Sequence, residues 1–313
     1  MKKTYIPYII ALILVLAGCQ RRPLTEADFS VQLNITLDKN IVNHNVEKDP
    51  ALMRCIFYDS DNGAFVTQAF LPPHGGIVNL VPSRTYNVLV YNFDTESTWI
   101  KEENWFDKIY ASTSLIPDSF RTKLKSRSSE DEEQIVYDPD HLFVGRLNNV
   151  YVPARSVNAE MFVMDVEAKS VVQSWRIELS KVTGVENIGS MAGVITSLSR
   201  KNKIGVGELT EEYAAVYFDN QVIDENGILT AKFNTFGPNP ECIDPQTLSL
   251  VFIDIAGKGS TYNFDVSSQM IDNKEQVIRL NAEIDIPKPM TEGSGGFVPK
   301  VDEWEDVNTD III

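Results

Sequence analysis

Residues 29–38, "FSVQLNITLD", carry Val31, Leu33, Ile35 and Leu37 at every second position with polar residues between them. Successive side chains of an extended chain point to opposite faces, so this alternation specifies a strand with one buried face and fits no helix. The pattern recurs along most of the chain. "MRCIFYDSDNGAFVTQAFLP" (53–72) reads as two strands joined at Asp61-Asn62-Gly63, residue types that tolerate positive φ. "GGIVNLVPSRTYNVLVYNFDTES" (75–97) gives a turn, a short strand, a Pro82-Ser83 corner and a strong strand over 86–92. Later segments repeat the pattern: "EMFVMDVEAKSVVQSWRIELSKVTGV" (160–185), "KFNTFGPNP" (232–240), "LSLVFIDIAGKGSTYNFDVSS" (248–268) and "QVIRLNAEIDIP" (276–287). Gly257-Lys258-Gly259 sits where a hairpin turn is needed. Only "EEYAAVYF" (211–218) resembles a helix, and its tyrosines and valine weaken that reading. Short strands separated by turn signals predict an all-β chain built of β-sandwiches.

The strand pattern restarts near Ala159, and 313 residues suit two sandwich domains. The expected division is 19–158 and 159–290, with a tail from 291. Between them "FRTKLKSRSSEDEEQIVYDPDH" sets Arg121, Lys123, Lys125 and Arg127 ahead of Glu130, Asp131, Glu132 and Glu133. That charge run reads as a solvated loop.

The first eighteen residues are not part of the fold. Lys2 and Lys3 precede an apolar run over 6–16, the pattern of a secretory signal. Its end, Leu16-Ala17-Gly18-Cys19, resembles the bacterial lipobox, in which a cysteine receives a diacylglyceryl group and becomes the first, acylated residue of the mature protein. Two or three acyl chains give stable anchoring. The formal charge is −16, and loss of the signal removes lysines only, so nucleic acid and bare anionic lipid are unsuited as partners. Cys55 and Cys242 fall in different expected domains and read as two separate buried thiols, although an exported compartment permits a bridge.

Little points to chemistry. His44, His74 and His141 are scattered, without partners at metal-ligand spacing. Asp59-Ser60-Asp61-Asn62-Gly63 begins like a calcium loop, but its twelfth position is Phe70, so it reads as a hairpin turn. Gly205-Val206-Gly207 lacks the later glycine and the helix that phosphate binding requires. No Gly-x-Ser-x-Gly occurs. An enzyme, a cofactor and a metal are therefore not expected. Trp99, Trp105 and Tyr110 in "STWIKEENWFDKIY" could stack on sugars; core and edge packing is the preferred reading.

The lipobox followed by Arg22-Pro23-Leu24, the hairpin "FYDSDNG", the strand "YNVLVYNFDTE", the segment "VTGVENIGSMAGV" and the run "FGPNP…LSLVFIDIAGKGSTYNFDVSSQM" together carry a resemblance. From Cys19 to about residue 287 the chain resembles a Bacteroidetes lipoprotein family, the domain-of-unknown-function branch similar to the anchor and accessory subunits of type V fimbriae. The resemblance implies two transthyretin-like β-sandwich domains in tandem, a lipid at Cys19, and an outer-membrane, cell-surface place as an anchor or accessory subunit of an adhesive fimbria. Fimbrial subunits are the implied protein partners, joined by adding a strand at an open sheet edge. Stalk subunits of such fibres are opened by cleavage at an early arginine. Arg21 and Arg22 lie beside the lipid and Arg54 lies in an expected strand, which favours an anchor or accessory role. A glycan-binding surface lipoprotein using Trp99 and Trp105 is the alternative.

The tail, "GSGGFVPKVDEWEDVNTDIII", joins a glycine hinge to five acids and the apolar triplet Ile311, Ile312, Ile313. Three readings stand open: an unstructured acidic tail, a segment docked on its own body, or a strand donated to a neighbour, in which case the three isoleucines seek pockets.

Overall fold

The computed structural model describes residues 29–117, 133–154, 160–223, 228–239, 241–288 and 308–311, and side chains are described for all of these except 220–223 and 308–311. The chain is all-β. In order, the first half contains β1 (Phe29–Asp38), β2 (Met53–Asp59), β3 (Phe65–Leu71), β4 (Gly75–Leu80), β5 (Arg84–Asn92), β6 (Thr98–Lys101), β7 (Tyr110–Thr113), β8 (Ile135–Tyr137), β9 (Phe143–Val152) and β10 (Phe162–Ser170). The second contains β11 (Gln173–Thr183), β12 (Ile188–Ser199), β13 (Lys201–Lys203), β14 (Glu208–Leu209), β15 (Tyr213–Phe218), β16 (Asn220–Ile223), β17 (Leu229–Thr235), β18 (Thr247–Asp254), β19 (Gly259–Asp265), a one-turn helix α1 (Ser267–Met270), β20 (Val277–Asp285) and β21 (Asn308–Ile311).

The alternating apolar residues of β1 all turn inward: Val31, Leu33 and Ile35 are buried, and they meet Met53, Cys55 and Phe57 of β2, Val88 and Val90 of β5, and Met164 and Val166 of β10. These strands form one seven-stranded sheet in the order β3-β2-β5-β9-β10-β1-β4. The sheet curls around its own apolar face until its edge strands β3 and β4 touch, which is how a single sheet encloses a core. The expected β2–β3 hairpin is present. Asp59 and Asn62 carboxyl and amide oxygens accept the amides of Asp61 (3.0 Å) and Ala64 (2.8 Å), and Gly63 takes φ 71°, so this stretch is a turn.

A second layer explains why β2 and β5 are buried on both faces. Ile56, Tyr58, Leu89 and Tyr91 project from the outer side of the curled sheet and pack under Ile109, Ala111 and Ile204. The covering element is a small sheet, β14-β13-β7-β6, assembled from both halves of the chain.

The other core lies between two sheets packed face to face, β16-β17-β11-β20 and β21-β19-β18-β12-β15-β8. Trp175, Ile177 and Leu179 of β11 and Leu229, Ala231 and Phe233 of β17 face Met191 and Ile195 of β12, Val216 and Phe218 of β15, and Leu250 and Phe252 of β18. Phe233 stacks between Trp175 and Phe218, with ring centroids 6.5 and 5.1 Å away.

The structure departs from the sequence reading at four places. The strand expected to open the second domain, β10, is hydrogen-bonded into the first sheet, parallel to β1 from Val31↔Phe162 onward and antiparallel to β9. The change of sheet therefore falls between Ser170 and Gln173, after the expected boundary at 158. β8 precedes that boundary yet pairs with β15 at the edge of a second-core sheet. Glu133, placed by charge in a solvated loop, is 8% exposed. Residues 118–132 of that loop lie outside the described residues. The segment 213–218, the one stretch resembling a helix, is strand β15.

Candidate assembly surface

β18 and β19 form the hairpin predicted around Gly257, which takes φ 85°, and β12 covers the far side of β18. That leaves one side of β19 with unpaired backbone donors and acceptors, a place where a further strand gains hydrogen bonds at once. The chain fills this edge itself. β21 runs parallel to β19 in the register Thr261↔Asn308, Tyr262↔Thr309, Asn263↔Asp310 and Phe264↔Ile311. Of the three readings of the tail, docking on its own body is the one residues 308–311 adopt. Ile311 belongs to this strand; Ile312 and Ile313 lie outside the described residues, as does Cys19.

Trp99 and Trp105 are not core residues. Trp99 is 55% exposed on β6, where its Nε1 donates to Ser114 Oγ at 2.6 Å; Trp105 is 41% exposed, with Lys108 Nζ 5.3 Å from its ring centroid. The pairings Trp99↔Ser112, Lys101↔Tyr110 and Ser112↔Lys201 put Trp99, Lys101, Tyr110 and Lys201 on one outer face of the small sheet. Trp105 stands in the turn after β6, bridged to Ala64.

The arginine in β2 is held fast. Arg54 pairs through both terminal nitrogens with Glu103 (Nη2 to Oε2, 2.9 Å), and its guanidinium lies within 5.9 Å of the ring centroids of Phe70, Tyr91 and Phe93. Tyr91 donates to Glu103 Oε1 at 2.8 Å and Tyr58 to the Glu103 carbonyl at 3.0 Å. Burial, with the Glu103 charge second, pushes both phenols up. A protease needs an extended, accessible chain, and this arginine sits in the interior of a paired strand with its side chain 13% exposed.

Titratable groups gather where the two cores meet. His141 contacts Ser170 (Nδ1, 3.0 Å) and Ser174 (Nε2, 2.9 Å), and its ring centroid is 3.9 Å from that of His44. Burial lowers His141 to about 4, with His44 as a second cause, and burial also lowers His44. The Asn43 amide donates to the Glu275 and Gln276 carbonyls, both at 2.9 Å, which ties the 39–50 loop to the second core. Asp138 accepts the Asn234 amide at 3.3 Å, and Glu133 accepts the Ser197 amide at 2.8 Å; burial raises them to about 6 and about 7. Sequence spacing gave no sign of these groupings, because each is made by residues from separate strands. Cys55 and Cys242 are both free, and burial raises the Cys55 thiol to about 12. Among the described residues no cluster of histidine, cysteine and acids has metal-binding geometry, and no helix is long and apolar enough to cross a membrane.

Comparison with known proteins places the chain in a family. Residues 18–219 match the family described as Domain of unknown function (DUF5119). The chain belongs to the DUF5119 family. This DUF5119 chain is 27% identical over 252 residues to a Bacteroides ovatus protein provisionally named fimbrium anchoring subunit Fim4B, covering 80% of the chain and 70% of that relative. Its fold is similar to a crystal structure of a provisionally described adhesin from Bacteroides ovatus, with a TM-score of 0.61 at 24% identity over 88% of this chain and 98% of the other. It is also similar, at TM-score 0.50 and 12% identity, to a Bacteroides thetaiotaomicron protein provisionally described as polysaccharide-binding, over 77% and 81% of the two chains.

Proposed function

We propose that this chain is an outer-membrane lipoprotein, attached through acylated Cys19, that acts as an anchor or accessory subunit of a cell-surface fimbria and joins its neighbours by β-strand addition. The observation that carries this reading is the β19–β21 pairing: a tail strand reached across more than twenty residues of intervening chain completes a sheet edge through main-chain hydrogen bonds. A strand held in this way can be exchanged for one from another subunit without new side-chain chemistry. The similarity to Fim4B and to adhesin-type folds supports the same role, and the secured Arg54 supports an accessory rather than a cleaved stalk subunit. The chain, expressed in its native host with an affinity tag in the 118–132 segment, should co-purify with fimbrial subunits from the outer membrane. Cys19→Ala should release it to the soluble exported fraction. Deletion of 294–313 should abolish co-purification if the tail is the donor and leave it intact if the body only accepts a strand. Wild-type protein that never co-purifies with a fimbrial subunit would overturn the assignment.

The exposure of Trp99 and Trp105 favours one second reading, glycan binding on the small-sheet face. Loss of binding to immobilised host glycans in Trp99→Ala, with fimbrial association unchanged, would establish it as a separate activity.

A further inference from the structure

The small sheet has two unlike faces. Ile100, Ala111 and Asn202 stand opposite one another across β6, β7 and β13 and point inward, Ile100 and Ala111 into the core beneath. The outward positions are therefore Trp99 and Lys101 of β6, Tyr110 and Ser112 of β7, and Lys201 and Lys203 of β13. These offer amines, hydroxyls and two flat rings, without an aliphatic side chain. Ser112 faces outward yet is only 7% exposed, because its partners on either side, Trp99 and Lys201, cover it. Trp99 is thus supported from below, its Nε1 is fixed on Ser114 Oγ, and its ring remains open to water. An indole held in this way presents a pre-organised apolar plane.

The chain as a whole is acidic, with a formal charge of −16, but this face is not. Lys201 pairs with Glu212 and sets its Nζ 4.9 Å from the Tyr110 ring centroid, and Lys203 stands opposite Glu208. Lys101 is exposed and forms no ion pair among the described residues. It lies two residues from Trp99 on the same face, about 7 Å along the strand. A ligand that fits needs an apolar face for the indole, hydroxyls for the polar positions and an anion for Lys101. A pyranose that carries a ring carboxylate has all three, since the C–H bonds of one face are apolar and the carboxylate leaves from the ring edge. We propose that this outer face binds acidic oligosaccharides, with a uronic acid ring stacked on Trp99 and its carboxylate paired with Lys101. The inference rests on the glycan reading of the small sheet and names the class of sugar.

The experiment is isothermal titration of the full mature chain with octasaccharides of hyaluronan and of polygalacturonate, and with the same sugars after reduction of their carboxylates to alcohols. The reduced sugars should bind on the order of tenfold more weakly. Lys101→Gln should weaken binding of the acidic sugars about fivefold, the upper range for one exposed ion pair, and leave the reduced sugars unaffected. Trp99→Ala should weaken both kinds about tenfold. Lys258→Glu, exposed in the β18–β19 turn, makes the chain still more acidic and should change neither. Equal affinity for acidic and reduced sugars that still depends on Trp99 would overturn the acidic assignment and leave the glycan reading standing. Wild type that binds neither kind would overturn both. An equal loss in Lys258→Glu and Lys101→Gln would reduce the effect to net charge and overturn the pairing with Lys101. A poly-glutamate peptide is titrated alongside, and binding as tight as that of the acidic sugars would assign the face to an acidic polypeptide and overturn the proposal.

Discussion

Glu133 accepts the Ser197 amide in an interior with little water, and its proton is therefore easier to keep than to lose. Its folded value of about 7 lies above the ordinary 4.5, so this site favours the fold fully below pH about 4.5, and that contribution is lost as pH rises to about 7. Asp138 acts in the same direction between about 3.8 and 6, and His141 in the opposite one, losing stability as pH falls from 6.5 to about 4. Glu133→Gln keeps an acceptor for Ser197 and removes the buried charge. It should raise unfolding stability at pH 8 by on the order of 2 kcal/mol, an advantage that closes below pH about 4.5. Chemical denaturation of both proteins across that range measures it, and a difference independent of pH would contradict the burial argument.

At the level of strands, β12 and β15 show how a glycine can be part of a core. Gly193 pairs with Phe218, and a Cβ at 193 would stand 2.1 Å from the Phe218 ring, which lies across the glycine and stacks on Phe233. Gly193→Ala should displace that ring and lower stability by about 1–3 kcal/mol, the usual cost of overpacking, as read from the denaturation midpoint. An unchanged midpoint would mean the ring has room to move. Elements of this kind were legible in part. Alternation in "FSVQLNITLD" and the Asp-Asn-Gly and Gly-Lys-Gly turns marked β1, β2–β3 and β18–β19, because a strand's burial pattern and a tight turn are written locally. Partnership is not written locally. Nothing in 162–170 distinguishes a strand that pairs with β1 from one that begins a new domain, and nothing in "QIVYDP" shows that β8 crosses to β15. The exposure of Trp99 and Trp105 is likewise not written locally: aromatic residues usually cover a core, and here Trp99 stands on the edge strand β6 with the inward positions beside it taken by Thr98 and Ile100.

Taken as one molecule, the chain is sewn together rather than strung in beads. In the first sheet β9 and β10 lie between β5 and β1, and the small sheet joins β7 to β13. A cut within residues 118–132 separates β1–β7 from everything after it in sequence but not in space. A protease site inserted there should yield two bands on a denaturing gel and a single native species on size exclusion. Fragments that elute apart would show that the shared sheets do not hold.

The placement of β1 bears on how such a molecule carries load. If the chain is tethered through Cys19 as proposed, a pull would load β1, a strand flanked on both sides, with eight paired positions against β10 and six against β4. Tension along that strand loads its rungs together in shear instead of opening them one after another like a zipper. Such a tether would end in the part of the sheet least suited to peeling, and tension from the proposed fibre would strain this joint along its strongest direction.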